Sequence, residues 1–162
     1  MLKKILVILL FSGIVYKGHS QELVSYTKAS HLTKKDLIEV WKENGIPRLI
    51  VNISNEIDIY EIIYMTKWHD GTPIKASGLY FLPITSTILP QLIYHHGTKI
   101  KVERTLDIYR EKAICAGFAT DGYAVIMPDY IGLGKGEKTH LYQHADTEAS
   151  SAIDMYFAVQ EL

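Results

Sequence analysis

The 162 residues predict an α/β fold: an antiparallel hairpin followed by a parallel strand–helix–strand unit. Three observations carry that expectation. Two runs rich in Ile and Tyr, "IDIYEIIYMTKW" and "IKASGLYFLP", flank Asp70-Gly71, a strong hairpin signal. Two further apolar runs, "QLIYHH" (91–96) and "YAVIMPDY" (123–130), read as buried strands. Between them lie apolar residues at helical spacing, and a strand, helix, strand order implies a parallel crossover. With 48% hydrophobic residues the chain has enough apolar material for one domain with a real core.

From the amino terminus, residues 1–20 read as a secretory signal peptide. Lys3 and Lys4 form a basic start, and "ILVILLFSGIV" (5–15) is an apolar core well short of the ~20 residues that span a bilayer. Gly18 and Ser20 supply small residues at −3 and −1 of a cleavage site before Gln21. The expectation is an exported protein, periplasmic or extracellular, with no stable membrane anchor. Cleavage removes Lys3, Lys4 and Lys17 from the 17 basic residues, leaving 14 against 18 acidic ones, which offers nothing to nucleic acid. Cys115 is the sole cysteine, so no internal disulfide forms, and its setting in "KAICAGFA" predicts packing, not nucleophilic work.

Residues 21–54 read as an N-terminal extension with a short helix. Residues 21–30 lack periodicity and suggest an arm or lead-in. "TKKDLIEVWKENGIP" then carries Thr33 as N-cap with Asp36 three residues on, Leu37, Val40 and Trp41 on one face, and Asn44-Gly45 and Pro47 as stop signals. The domain proper occupies residues 55–162. After the hairpin and the strand 91–96, a helix is expected over 104–117, with Leu106, Ile108, Tyr109, Ala113, Ile114 and Phe118 at its spacing. After the strand 123–130, "ADTEASSAIDMYFAVQEL" predicts an amphipathic helix with acids in its first turn and Ala149, Ala152, Ile153, Tyr156 and Phe157 as its apolar face.

Three motifs bear on chemistry. "YIGLGKGEKT" (130–139) resembles a phosphate loop, but Glu137 replaces the glycine that lets the backbone approach phosphate, and its carboxylate would repel one. His140 and His144 lie four apart and, with Glu148, could share a helix face as metal ligands; the sequence between them lacks the Glu of the zinc-protease pattern, so histidines that pack or cap are the simpler reading and no metal is expected. Finally, His96-Gly97-Thr98 ends one predicted strand and Asp129-Tyr130 with its glycine loop ends the next. In open parallel sheets, sites form beyond the carboxyl ends of the strands, and Gly97 lets the backbone turn its N–H groups outward, as an oxyanion requires.

The succession of hairpin, "YHHGT", "GYAVIMPDYIGLG" and "HLYQHADTEASSAIDM" resembles the N-terminal part of the α/β-hydrolase superfamily, in particular the secretory lipase-like esterases, over residues 55–162. The resemblance implies an exported carboxylic ester hydrolase acting on small-molecule or lipid esters without a cofactor, with Gly97 and Thr98 in the oxyanion-hole turn through their backbone N–H groups. In that fold the nucleophile sits in a Gly-x-Ser-x-Gly elbow after the next strand. No such motif occurs here. The resemblance therefore implies a fold truncated before the nucleophile elbow, with the triad beyond Leu162 and the chain inactive alone. A peptidase of the same fold, or a non-catalytic secreted binding module ending at Leu162, are the alternatives.

Overall fold

The computed structural model describes residues 22–99 and 106–162. The predicted signal peptide and residues 104–105 of the predicted helix lie outside the described residues. The elements are β1 (Leu23–Leu32), α1 (Lys34–Glu43), β2 (Ile57–Lys67), β3 (Pro73–Pro83), β4 (Gln91–Ile93), α2 (Glu111–Thr120), β5 (Ala124–Pro128) and α3 (Ala145–Ala158), the last continued by a 3-10 turn, Val159–Glu161. The strands form one sheet in the order β1-β2-β3-β5-β4. β1, β2, β3 and β5 pair antiparallel in succession, and β4 pairs with β5 in parallel.

Why the sheet forms is visible in the side-chain alternation of its strands. Along β5, Val125 and Met127 face one side and Ala124 and Ile126 the other, so an unbroken apolar run feeds two cores. One core joins Ile57, Ile59 and Phe81 to Leu37 and Trp41 of α1 and Ala113, Ala116 and Ala119 of α2. The other joins Ile62, Tyr64 and Tyr80 to Met155 and Ala158 of α3. Each large side chain fully removed from water contributes about 1.5–3 kcal/mol. In the second core a Cβ at Gly78 would stand 2.8 Å from the Met127 backbone carbonyl on neighbouring β5, with the Met155 thioether of α3 also against it, so glycine is required there.

α1 follows its local code: Thr33 caps it, Asp36 completes a reciprocal capping box, and Leu37, Val40 and Trp41 are buried. The hairpin also forms as expected, with residues 68–72 between Lys67 and Pro73 and Gly71 at φ +85°. The strand "QLIYHH" is shorter than predicted, regular over Gln91–Ile93 and extended by one bond from Tyr94 N–H to the Ile126 carbonyl, 2.8 Å.

Three expectations need correction. The expected arm is a strand from Leu23 onward, most of β1, which pairs Tyr26 with Ile62 and Leu32 with Ile57. Its side chains are largely exposed, so backbone pairing makes it a strand without any hydrophobic alternation to reveal it. α2 begins at Glu111, because Asn44 at the end of α1 donates to the Ile108 carbonyl (3.1 Å) and accepts from Arg110 N–H (2.8 Å), and Arg110 sits at φ +51°. Leu106 and Ile108 still pack on the core, but as non-helical chain. The buried faces of α2 and α3 are also rotated from those expected. Ile114, Phe118, Ile153 and Phe157 are exposed, while small or polar residues, and Met155, are buried. On α3, two β2 side chains explain this: Tyr64 Oη donates to the Ser151 carbonyl (2.9 Å) and Thr66 Oγ1 to Asp154 (2.8 Å). Among the described residues no helix is long and apolar enough to cross a membrane.

Candidate active site

Because β4 and β5 run parallel, the chain leaving each emerges at the same edge of the sheet. From β4 emerges the turn His96-Gly97-Thr98; from β5, Asp129, Tyr130 and the glycine loop. The two are joined directly. Tyr130 Oη donates to the His96 carbonyl (3.2 Å) and lies 3.3 Å from His95 Nδ1, and the Tyr130 and His96 rings stack at 4.2 Å between centroids. Tyr130 and His96 are buried; Gly97 and Thr98 are exposed.

Within the turn, the His96 Nδ1–H donates to the Gly97 carbonyl at 2.7 Å, which fixes the tautomer and leaves Nε2 as an acceptor. Burial holds the His96 pKa below its ordinary value, so the ring is neutral near pH 7. Nε2 is buried and has no partner among the described residues. The Gly97 N–H donates to Glu111 Oε1 at 2.7 Å, bringing the first residue of α2 against the turn.

The glycine loop is held differently. Asp129 accepts from Ser77 Oγ–H (2.7 Å), Ser77 Oγ accepts from Lys135 N–H (2.8 Å), and the Glu137 N–H donates to the Lys75 carbonyl (2.9 Å). Leu133 and Gly136 amides bond within the loop, and Lys135 Nζ pairs with Glu61 at 2.6 Å. Gly132 and Gly134 take φ +81° and +57°; a Cβ on the first would collide with the His140 backbone, and on the second with the Asp129 carboxylate and Ser77 hydroxyl. Four of the loop amides, those of Leu133, Lys135, Gly136 and Glu137, are thus bonded within the protein itself.

His140 and His144 do not share a helix face, since α3 starts at Ala145. His140 Nδ1 bonds the Ile131 carbonyl (3.0 Å), and His144 is the N-cap of α3, accepting from Thr147 N–H (3.3 Å). Among the described residues no group of three His, Cys, Asp or Glu side chains is arranged to hold a metal. Cys115 is buried against Met127, and burial pushes its thiol up to about 12, which suits packing and not nucleophilic attack. Sequence reasoning did not find Glu111 or Ser77. Glu111 shows only as an acid beside a helical stretch, and Ser77 as one polar residue in a strand.

No described protein family and no curated protein matches the sequence. Solved structures do. A candidate hydrolase of Legionella pneumophila is 32% identical, with a TM-score of 0.74 over 86% of this chain and 39% of its own. The rice cell wall degrading esterase LipA of Xanthomonas oryzae is 22% identical, with a TM-score of 0.68 over 87% of this chain and 37% of its own. Candida antarctica lipase A, 12% identical, reaches 0.54 over 87% and 31%. The chain has the α/β-hydrolase fold of lipases and esterases. It spans less than two fifths of the length of each of these α/β-hydrolase-type proteins.

Proposed function

We propose that the chain forms the first part of an exported carboxylic ester hydrolase, supplying the sheet and the oxyanion turn at Gly97 and Thr98, while a serine nucleophile and its acid and base come from residues outside it. One observation carries this reading: the exposed turn at the end of β4 is braced by Tyr130 from the end of β5, at the sheet edge where open parallel sheets place their sites. Three features support it further. The fold is that of esterases and lipases; the sequence holds no Gly-x-Ser-x-Gly elbow; and His96, His140 and His144 each have a ring nitrogen engaged within the protein. Export rests on the basic start, short apolar core and small residues of the first twenty positions.

The chemistry would be acyl transfer. The serine oxygen bonds to the ester carbonyl carbon, its proton passes to a histidine, and the carbonyl oxygen becomes an oxyanion held by backbone N–H groups. Collapse then expels the alcohol, which takes the proton, and water repeats the sequence on the acyl-serine. The test is burst kinetics with a p-nitrophenyl ester, on residues 21–162 and on a longer protein carrying a serine elbow. The shorter chain should show no burst and the longer one a stoichiometric burst. A burst from residues 21–162 would overturn the assignment of the nucleophile. Inactivity of the longer protein toward esters, with activity toward peptides, would favour a peptidase; inactivity toward both would favour a binding module.

A further inference from the structure

We infer that Glu111 is a positioning residue that takes up the Gly97 amide, so that the Thr98 amide is the donor the turn offers to an oxyanion. This deepens the proposed ester hydrolysis and rests on it. The polar backbone groups of the turn can be assigned one by one. The His96 carbonyl accepts from Tyr130 Oη, the Gly97 carbonyl accepts from His96 Nδ1–H, and the Gly97 N–H donates to Glu111 Oε1. Thr98 is exposed, and its N–H has no partner among the described residues. An amide already bonded to a carboxylate is not available to a second anion, because the two negative oxygens would crowd one hydrogen and repel each other.

The carboxylate is well placed for this task. Glu111 opens α2, where the positive end of the helix dipole favours an acid. The chain just before it is pinned to α1 by Asn44, which bonds Ile108 and Arg110. The approach is close: a Cβ at position 97 would stand 3.3 Å from Glu111 Oε1, so the carboxylate would have to shift by a few tenths of an ångström to admit one. Sheet, α1 and α2 thereby converge on one peptide group and aim the next one outward.

Amide hydrogen exchange, read by NMR on the full chain, tests the assignment without requiring catalysis. In the parent, Gly97 should be protected and Thr98 should exchange freely. Glu111→Ala should speed Gly97 exchange about tenfold or more, as expected for losing a bond to a charged acceptor. Glu111→Gln keeps an acceptor oxygen but bonds about half as strongly as the carboxylate, so its Gly97 exchange should fall between the parent and Glu111→Ala. The Tyr94 amide, bonded inside the sheet, reports that each variant is folded. An unprotected Gly97 or a protected Thr98 in the parent overturns the inference, with no variant needed.

The second arm uses a longer, ester-hydrolysing protein. There Glu111→Ala should lower kcat about tenfold with KM little changed, and Glu111→Gln should recover part of it, a split that general loss of folded protein would not give. A kcat at the parent level with Gly97 deprotected overturns the positioning role. If the exchange pattern holds but no form hydrolyses esters, the enzymatic reading fails and the Glu111–Gly97 bond stands.

Discussion

The turn after β4 and the glycine loop after β5 leave the same sheet edge, yet they are stabilised in opposite ways. The loop closes its backbone on its own sheet: the Lys135 and Glu137 amides bond Ser77 and Lys75, and its positive-φ glycines leave no room for a side chain. The turn is held by side chains reaching in from Tyr130, His96 and Glu111, and its Thr98 amide has no partner among the described residues. A loop that consumes its own donors makes a wall; a turn braced from outside can present one. The difference teaches that glycine content alone does not mark a binding loop. The fate of each N–H does.

The comparison breaks most sharply at Thr98. In a catalytically complete protein, Thr98→Pro deletes the N–H donor and should lower kcat by roughly 10²–10³-fold, about 2.7–4 kcal/mol, with KM little changed. Thr98→Ser keeps both amide and hydroxyl and should stay near the parent. Both must first match the parent in circular dichroism and melting. A folded Thr98→Pro enzyme with near-parent kcat would remove Thr98 from the site.

Next in size comes Gly134→Ala on the wall, where φ +57° and the Asp129 carboxylate both oppose a side chain. Backbone strain of this kind costs about 1–3 kcal/mol, and urea denaturation should register a loss in that range. A variant as stable as the parent would mean the loop is not held as described. Ser77→Ala should follow at about 1–2 kcal/mol, since it removes the hydroxyl between Asp129 and the Lys135 amide and leaves both without that partner. Thermal melting with Gly97 exchange unchanged would confine the effect to the wall.

The smallest expected effect is on pH. Burial lowers the folded-state pKa of His96 below the unfolded value of about 6.5. The unfolded chain therefore binds the proton first as pH falls. The neutral ring's contribution is complete above that value and is lost progressively as pH drops through it toward the folded-state pKa. Melting temperature followed from pH 7.5 to 5 should decline more in the parent than in His96→Asn. Equal declines would detach His96 from the titration.

What the sequence made legible was what local chemistry decides. α1 announces itself through Thr33, Asp36 and Asn44, the hairpin through Asp70-Gly71, and the turn at Gly97-Thr98 through its place after an apolar run. What it hid depends on distant partners. β1 carries no alternation because it is secured by pairing with β2 while its side chains stay wet. The start of α2 is fixed by Asn44, more than sixty residues away. On α3 the inward face is set by Tyr64 and Thr66 of β2, which bond Ser151 and Asp154, and Ile114, Phe118, Ile153 and Phe157 of α2 and α3 are left outward. Glu111 is invisible for the same reason: its role exists only once α2 is docked beside β4.

The two edges of the sheet differ in one further respect, with consequences for handling the protein in solution. β1 closes one edge with irregular register after Leu23 and Lys28 and a charged Lys28 side chain, features that discourage a neighbour from zipping on. β4 closes the other with three residues, Leu92 and Ile93 among them, and has no comparable charge or irregularity in that stretch. Colloidal behaviour of residues 21–162 should thus be governed by the β4 side. Light scattering should rise with concentration, and Gln91→Lys, at the exposed position of β4, should reduce it more than Val24→Lys on the opposite edge.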